Sequence, residues 1–181
     1  MAKKVLIISA SLRNNSNSEA MARAFQRGAQ EAGNEAELVS LRGKQYGFCR
    51  GCLACQKKQD GHCVMPDDAD EIVQKMRSAD VLVFATPIYY YEMSGQLKTL
   101  LDRANPLYPV DYRFRAVYVL TCAADDAEAT PERAVHGVEG WIACFEHASL
   151  AGTVFAGGVN DAGEITDHPA LQTAYEMGKN I

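Results

Sequence analysis

The chain of 181 residues has little of several features that mark specialised classes of protein. It has one tryptophan, and its four histidines show no metal-ligand spacing. No apolar run approaches the roughly 18–20 residues that cross a bilayer. Eighteen basic residues stand against 23 acidic ones, so the formal charge of −5 gives no positive field for nucleic acid. The composition therefore favours a globular domain that binds neither membranes nor nucleic acids.

The length and the N-terminal segment indicate the number of domains and the cellular location. A chain of this length is expected to form one domain over residues 1–181. Two lysines precede four apolar residues at 5–8, whereas a signal-peptide core needs about 7–15. The sequence therefore predicts a cytoplasmic protein.

Short apolar runs and helical apolar spacing alternate along the chain. Strands are predicted at 5–8, 35–41, 81–85, 116–120 and 150–156, and helices at 18–32, 68–79, 94–104, from 130 and from 168. Pro87 is expected to end the third strand. Strict β/α alternation predicts an α/β fold, with a five-stranded parallel sheet and helices on both faces. Ligands bind such sheets at the carboxyl ends of the strands.

The loop after the first strand is rich in hydrogen-bonding side chains. Residues 9–18 read SASLRNNSNS and match neither a dinucleotide-binding nor a P-loop motif. Hydroxyls and N–H groups at a helix N-terminus bind anions, and Arg13 would add a charged contact. This composition suits a terminal phosphomonoester better than a bridging pyrophosphate. A polar turn with ordinary helix capping is the alternative.

Three segments in order resemble the NADPH-dependent FMN reductase family of flavodoxin-like proteins. They read SASLRNNSNS at 9–18, TPIYYYEMSGQLK at 86–98 and AGGVNDAGEI at 156–165. The resemblance covers nearly the whole chain, and it implies a flavodoxin-like domain that binds FMN. Glu92 departs from the small or amide residue often found in relatives, and it is expected to place an acid near the flavin.

The resemblance implies three groups of FMN-binding residues. The phosphate group comprises Ser9, Ser11, Arg13, Asn15, Asn17 and Ser18. The group along the ribityl chain and ring comprises Pro87, Ile88, Tyr89 and Tyr90. Thr121, Cys122 and Ala123 would line the other side of the ring. Asp102 and Arg103 are interpreted as a structural ion pair rather than as catalytic residues.

The family implies hydride transfer from NADH or NADPH through FMN to a quinone, a flavin or another small acceptor. No catalytic side chain is expected, because the cofactor carries the chemistry. The alternative is an electron carrier between protein partners. Relatives bind FMN at subunit contacts, so we expect a homodimer. The tract at 108–112, with Tyr90 and Tyr91, could form its exposed aromatic patch.

The chain has six cysteines, and four of them are clustered in sequence. Cys49, Cys52, Cys55 and Cys63 follow the spacing C-x2-C-x2-C-x7-C within an irregular inserted loop at 43–66. The loop follows the second strand, so it is expected at the carboxyl edge of the sheet, near the flavin. Cys122 and Cys144 lie in apolar runs and are predicted to be core residues.

Three interpretations of the four clustered cysteines stay open. Their spacing resembles that of the iron–sulfur flavoproteins, which implies a four-iron cluster that passes electrons to FMN. Four thiolates also bind zinc, although structural zinc sites usually have two paired knuckles. Free thiols are the third interpretation, with Arg50, Lys57 and Lys58 lowering the thiol pKa values.

Overall fold

Parallel strands form the centre of the computed structural model, which describes residues 2–181. The strands are β1 (Lys4–Ser9), β2 (Glu35–Ser40), β3 (Val81–Tyr89), β4 (Glu92–Met93), β5 (Ala116–Cys122) and β6 (Ser149–Ala156). Five of them pair in parallel in the order β2-β1-β3-β5-β6, and β4 pairs antiparallel with the end of β3. The predicted five-stranded parallel sheet is therefore confirmed, with one short additional strand.

The helices connect the strands and cover both faces of the sheet. They are α1 (Asn17–Glu31), α2 (Ala54–Lys58), α3 (Asp68–Ser78), α4 (Gly95–Arg103), α5 (Glu132–Ile142) and α6 (Ala170–Lys179). All five predicted helices are present, and α2 is an extra turn within the cysteine loop. The first helix begins where the Ser16 hydroxyl accepts a hydrogen bond from the Glu19 N–H at 3.3 Å.

Two apolar cores lie on opposite faces of the sheet. Helices α3, α4 and α5 pack on one face, and α1 and α6 pack on the other. The α1–α6 contact is close because it is built on glycine. A Cβ atom on Gly28 would lie 2.0 Å from the Tyr175 carbonyl oxygen, and one on Gly178 would lie 2.1 Å from that of Phe25. Over residues 2–181 no helix has both the length and the apolar character to cross a membrane.

Two expectations about single residues are wrong. Pro87 does not end β3, which continues to Tyr89. The Ala85 carbonyl points towards β1 and accepts a hydrogen bond from the Ala10 N–H. Pro87, two residues later, points to the same side, but the pairing with β1 has ended by then. Its missing N–H therefore costs no ladder bond. Cys144 is exposed just after α5, whereas Cys122 is buried as predicted.

Candidate functional site

A cleft opens at the carboxyl ends of β1, β3 and β5, where the sheet topology predicts the ligand site. The cleft has a volume of about 130 Å³. Eight predicted residues line it: Ser11, Arg13, Asn17, Pro87, Ile88, Tyr89, Cys122 and Ala123. Sequence reasoning missed Ser16, Ala124, Val159 and Asn160. Ser16, Val159 and Asn160 lie inside the family-like segments at 9–18 and 156–165, so these segments could have identified them as lining residues.

Short polar side chains build the anion end of the cleft at the N-terminus of α1. The Ser16 and Ser18 hydroxyl oxygens lie 3.1 Å apart, and the Ser11 hydroxyl accepts from the Arg13 N–H at 3.3 Å. The Ser9 hydroxyl is buried, with no hydrogen-bond partner in residues 2–181. The Ser11 and Ser16 hydroxyls line the cleft and, with the N–H groups of the first helical turn, form a donor set of the kind that binds anions, whereas Ser9 and Ser18 are buried outside its lining.

The loop after β1, residues 9–18, which is named the phosphate loop for its predicted role, is joined to the loop after β6 through Asn17. The Asn17 amide donates to the Asp161 carbonyl at 2.9 Å and accepts from the N–H groups of Gly163 at 3.1 Å and Ile165 at 3.4 Å. Its side chain is thus committed to holding the two loops together. Asn15 also lies against the loop after β6. Its amide nitrogen is so near Gly163 that a Cβ atom built on that glycine would be 2.3 Å away.

Arg13 reaches the same loop and leaves donors for a ligand. One of its terminal nitrogens donates to the Asn160 carbonyl at 2.7 Å. A guanidinium has five N–H donors, so this bond orients the group without using all of them. Arg13 is therefore the charged group that the structure brings to the phosphate end of the cleft.

The aromatic segment forms a tight hairpin in which adjacent tyrosines differ in position. Tyr89 pairs with Glu92 across the hairpin and lines the cleft. Tyr90 is at the tip, 99% exposed, and does not line the cleft. Tyr90 and Tyr91 both have left-handed backbone, with φ of 52° and 65°. Glu92 also lies outside the cleft, on the side of the hairpin that faces α5.

The end of β5 provides a neutral wall. Thr121 is buried and donates to the Val154 carbonyl at 3.3 Å, so it belongs to the sheet rather than to the cleft. Burial raises the pKa of the Cys122 thiol to about 11. The thiol therefore stays protonated near neutral pH and places no charge against a bound ring.

All four clustered cysteines line one separate cavity, with a volume of about 20 Å³. Cys55 is buried, Cys63 is half-buried, and Cys49 and Cys52 are exposed. The Cys55 sulfur accepts from the Asn105 amide at 3.5 Å, and the Cys63 sulfur accepts from the Arg103 guanidinium at 3.4 Å. The cavity thus lies beside the C-terminal end of α4.

The cysteine loop begins at the carboxyl edge of the sheet, where Phe48 and Leu12 line one pocket, and the expectation that the cysteines lie near the flavin stays a prediction. The chain leaves that edge after β2 and runs along α4, where Tyr46 contacts Gln96 and Gly47 contacts Arg103. Those contacts span most of α4, whose nine residues measure about 13 Å. No described residue lines both the cleft and the cysteine cavity.

Arg103 and Asp102 both form ion pairs, but with other partners. Asp102 lies 2.7 Å from Lys98, and Arg103 lies 2.6 Å from Asp67. Consecutive helical residues face different directions, so the two cannot pair with each other. Burial acts to raise the pKa of Asp67, but the bonds from Arg103 and from the N–H groups of Gly47 and Ala69 lower it below its usual value.

The thiol environment bears on the three interpretations of the cysteines. Burial raises the pKa of Cys55, opposite to the lowering expected from Lys57 and Lys58. In the described chain, no three His, Cys, Asp or Glu side chains gather closely enough for a single metal ion. Four cysteines around one cavity supply the thiolate donors that either a four-iron cluster or zinc would use, so both interpretations stay open.

Comparison with known proteins agrees with the fold and the cleft. The model of the NADPH-dependent FMN reductase family matches residues 3–158. The chain belongs to this family. The match covers the phosphate loop, the aromatic hairpin and the cysteine loop.

Curated relatives share sequence with the chain, and solved structures share its fold. An iron–sulfur flavoprotein of Methanosarcina thermophila is 30% identical, over 98% of this chain and 93% of its own. One of Methanocaldococcus jannaschii is 40% identical over 58% of this chain, and the match spans about half, 53%, of its length. The fold matches an NAD(P)H:quinone oxidoreductase of Methanothermobacter marburgensis with a TM-score of 0.73, at 19% identity and 99% coverage of both chains.

Proposed function

We propose that the enzyme holds FMN in the cleft at the carboxyl edge and reduces a small acceptor, such as a quinone, with NADH or NADPH. The observation that supports this is the phosphate loop, which is bonded to the loop after β6 through the Asn17 side chain. Bound FMN would accept and donate hydride, and the protein would supply binding and orientation.

The chain's own residues divide this task between the two ends of the cleft. Arg13 and the serines at the start of α1 bind the phosphate by charge and hydrogen bonds. Pro87, Ile88 and Tyr89 provide an apolar and aromatic wall for the ring. The neutral Cys122 thiol and Ala123 face them without adding charge. No side chain needs to transfer a proton.

The test is a flavin and turnover measurement on protein purified without oxygen. We expect one FMN per chain, bleaching of its absorbance by NADPH or NADH, and recovery when a quinone is added. Quinones are the first acceptors to test, because a solved structure of this fold is a quinone oxidoreductase. Protein that binds no FMN after reconstitution, or FMN that neither nucleotide bleaches, would contradict the proposal.

We also propose that Cys49, Cys52, Cys55 and Cys63 hold a four-iron cluster. The support is their position around one cavity, the soft thiolate donor set and the relatives named iron–sulfur flavoproteins. Such a cluster would exchange single electrons. The expected result is iron and acid-labile sulfide in oxygen-free protein, both lost in Cys55→Ser. Wild-type protein free of iron would contradict it.

An electron carrier is the second candidate function, favoured by the cysteine cavity. A carrier would reoxidise rapidly with an electron-transfer protein and slowly with quinones. A reductase would show the reverse. Stopped-flow reoxidation of the reduced protein with each class of acceptor separates the two functions.

We propose a homodimer in the cytoplasm, where NADPH is available and thiols stay reduced. Tyr90, Tyr91 and Tyr108 are exposed apolar side chains that suit a subunit contact. Tyr112, expected in the same patch, instead packs against Phe114 and Phe145. Light scattering after gel filtration should give twice the 19.8 kDa mass of the chain. A monomer with FMN fully bound would contradict the dimer.

A further inference from the structure

Arg103 has an unusual position for an arginine. It is in the last turn of α4, only 1% exposed, and it is the largest of the fully buried side chains. Arginine is almost never buried unless it is paired. Its location beside the cysteine cavity, and not in the flavin cleft, requires an explanation that FMN binding does not provide.

The hydrogen bonds of Arg103 fix its plane and direct one N–H to a sulfur. The two terminal nitrogens donate to the two carboxylate oxygens of Asp67 at 2.6 and 2.8 Å. One of them also donates to the Gly47 carbonyl at 2.9 Å, and the other donates to the Cys63 sulfur at 3.4 Å. A bidentate carboxylate holds a guanidinium rigidly, so the sulfur contact is a directed one.

The same pair joins both ends of the cysteine loop. Gly47 precedes Cys49 by two residues, and Cys63 is the last of the four cysteines. Asp67 accepts from the Gly47 N–H at 3.2 Å and from the Ala69 N–H at 3.2 Å, so it also caps α3. The Arg103–Asp67 pair therefore sets the separation between the two ends of the loop and the start of α3.

Stability alone does not explain a buried pair of this kind. Replacing a buried ion pair by apolar side chains is often neutral or stabilising, because both charges lose their hydration. The Arg103 Nε group also lacks a hydrogen-bond partner in residues 2–181. The fold thus accepts an incompletely satisfied guanidinium beside a thiol.

We propose that Arg103 is the positioning residue of the cysteine site and that it raises the reduction potential of the cluster held there. This inference rests on the proposed four-iron cluster. One-electron reduction adds a negative charge to a cluster and its thiolates. A hydrogen bond to a ligand sulfur and a nearby positive charge stabilise that reduced form, so the potential rises.

The experiment compares three variants with the wild-type protein, all purified without oxygen. Arg103→Gln removes the charge, and Arg103→Lys keeps the charge but loses the bidentate geometry. Lys98→Gln is the matched control, because it removes an exposed charge from the same helix. The measurements are bound FMN, iron and sulfide content, iron loss to a chelator, and the cluster midpoint potential from an electron-paramagnetic-resonance titration.

We expect Arg103→Gln to have a more negative midpoint potential and to lose iron about tenfold faster than wild type. Arg103→Lys should lie between them, Lys98→Gln should match wild type, and all should keep FMN. If Arg103→Gln does not fold, Arg103→Lys decides the question. Faster iron loss with FMN retained and an unchanged midpoint potential would support the positioning role and overturn the proposed effect on the potential.

Two results would overturn the inference separately from the proposed cluster. The first is unchanged potential and unchanged iron retention in a folded Arg103 variant. The second is loss of FMN and of helical circular dichroism in both Arg103 variants, which would assign the residue to the fold alone. Wild-type protein without iron would instead overturn the proposed cluster, and this inference with it.

Discussion

The flavin cleft and the cysteine cavity differ in what holds their backbone. In the cleft, a helix cap at Ser16 and the amide of Asn17 fix the loop through bonds to the main chain. In the cavity, two sulfurs accept from Arg103 and Asn105, while Cys49 and Cys52 are exposed. The cleft is thus formed by main-chain bonds within the fold, whereas the cysteine cavity depends on two side chains, Arg103 and Asn105.

The backbone of the cysteine loop is strained at two residues beside its short helix. Leu53 and Gln59 flank α2 with left-handed φ values of 56° and 55°. Such conformations cost non-glycine residues about 1 kcal/mol or more and persist where the surroundings enforce them. A ligand shared by four thiolates would provide that enforcement. The comparison therefore predicts that changes to the Arg103–Asp67 pair affect the cavity and spare the cleft.

The largest expected effect comes from Asp67→Ala. The substitution leaves Arg103 buried without its carboxylate partner, and such losses cost about 3 kcal/mol. We expect the free energy of unfolding to fall by about that amount in urea titrations. The dissociation constant of FMN should change by less than about threefold, because Asp67 is outside the cleft.

Asp102→Ala is the matched control for that substitution. It breaks an exposed ion pair with Lys98 on the same helix, which is worth no more than about 0.5 kcal/mol. If Asp67→Ala destabilises the protein no more than Asp102→Ala does, the pair does not hold the cysteine loop. A large loss of FMN affinity in Asp67→Ala would contradict the independence of the two sites.

The next effect concerns the cleft, through Arg13→Ala. Losing a charge-assisted hydrogen bond to phosphate should weaken FMN binding by about 1.5–3 kcal/mol, or roughly 10- to 100-fold. Fluorescence titration of the apoprotein with FMN measures the change. Riboflavin, which lacks the phosphate, should bind the variant and the wild type equally. Unchanged FMN affinity would mean that Arg13 does not contact the phosphate.

Acid should weaken the Arg103–Asp67 pair selectively. The pKa of Asp67 is lower in the folded protein than in the unfolded chain, where it is near 3.9. As the pH falls through that unfolded value, the unfolded chain therefore binds more protons than the folded protein does. The stabilisation is therefore complete above about pH 5 and is lost as the pH falls through the folded pKa. The stability difference between wild type and Asp67→Asn should be constant from neutral pH to about pH 5 and shrink below about pH 4. A constant difference at all pH values would contradict the pKa shift.

The sequence predicted the features that depend on periodicity and local capping. Apolar runs such as 5–8 and 81–85 located the central strands, because strands buried on both faces are continuously apolar. Ser16 was recognisable as a helix cap from its spacing to Glu19. The motifs then placed eight lining residues in the cleft.

The features that the sequence did not predict depend on tertiary contacts. The course of the cysteine loop along α4 follows from bonds between Tyr46 and Gln96 and between Gly47 and Arg103, which are 50 and 56 residues apart. Pro87 extends β3 because its neighbour β1 has already ended. Cys144 is exposed because the chain leaves α5 just before it. No local pattern encodes these relations.

The smallest expected effect concerns the hairpin tip, where Tyr90 has a φ of 52° and is almost fully exposed. Glycine adopts this conformation without steric cost, so in protein diluted until it is monomeric Tyr90→Gly should raise the free energy of unfolding by about 0.5–1 kcal/mol. Tyr90→Phe keeps the strain and serves as the control, with unchanged stability. FMN affinity should stay the same in both variants, since Tyr90 does not line the cleft. If Tyr90→Gly instead loses FMN, the tyrosine closes over the bound flavin, and the cleft is less complete than its phosphate loop indicates.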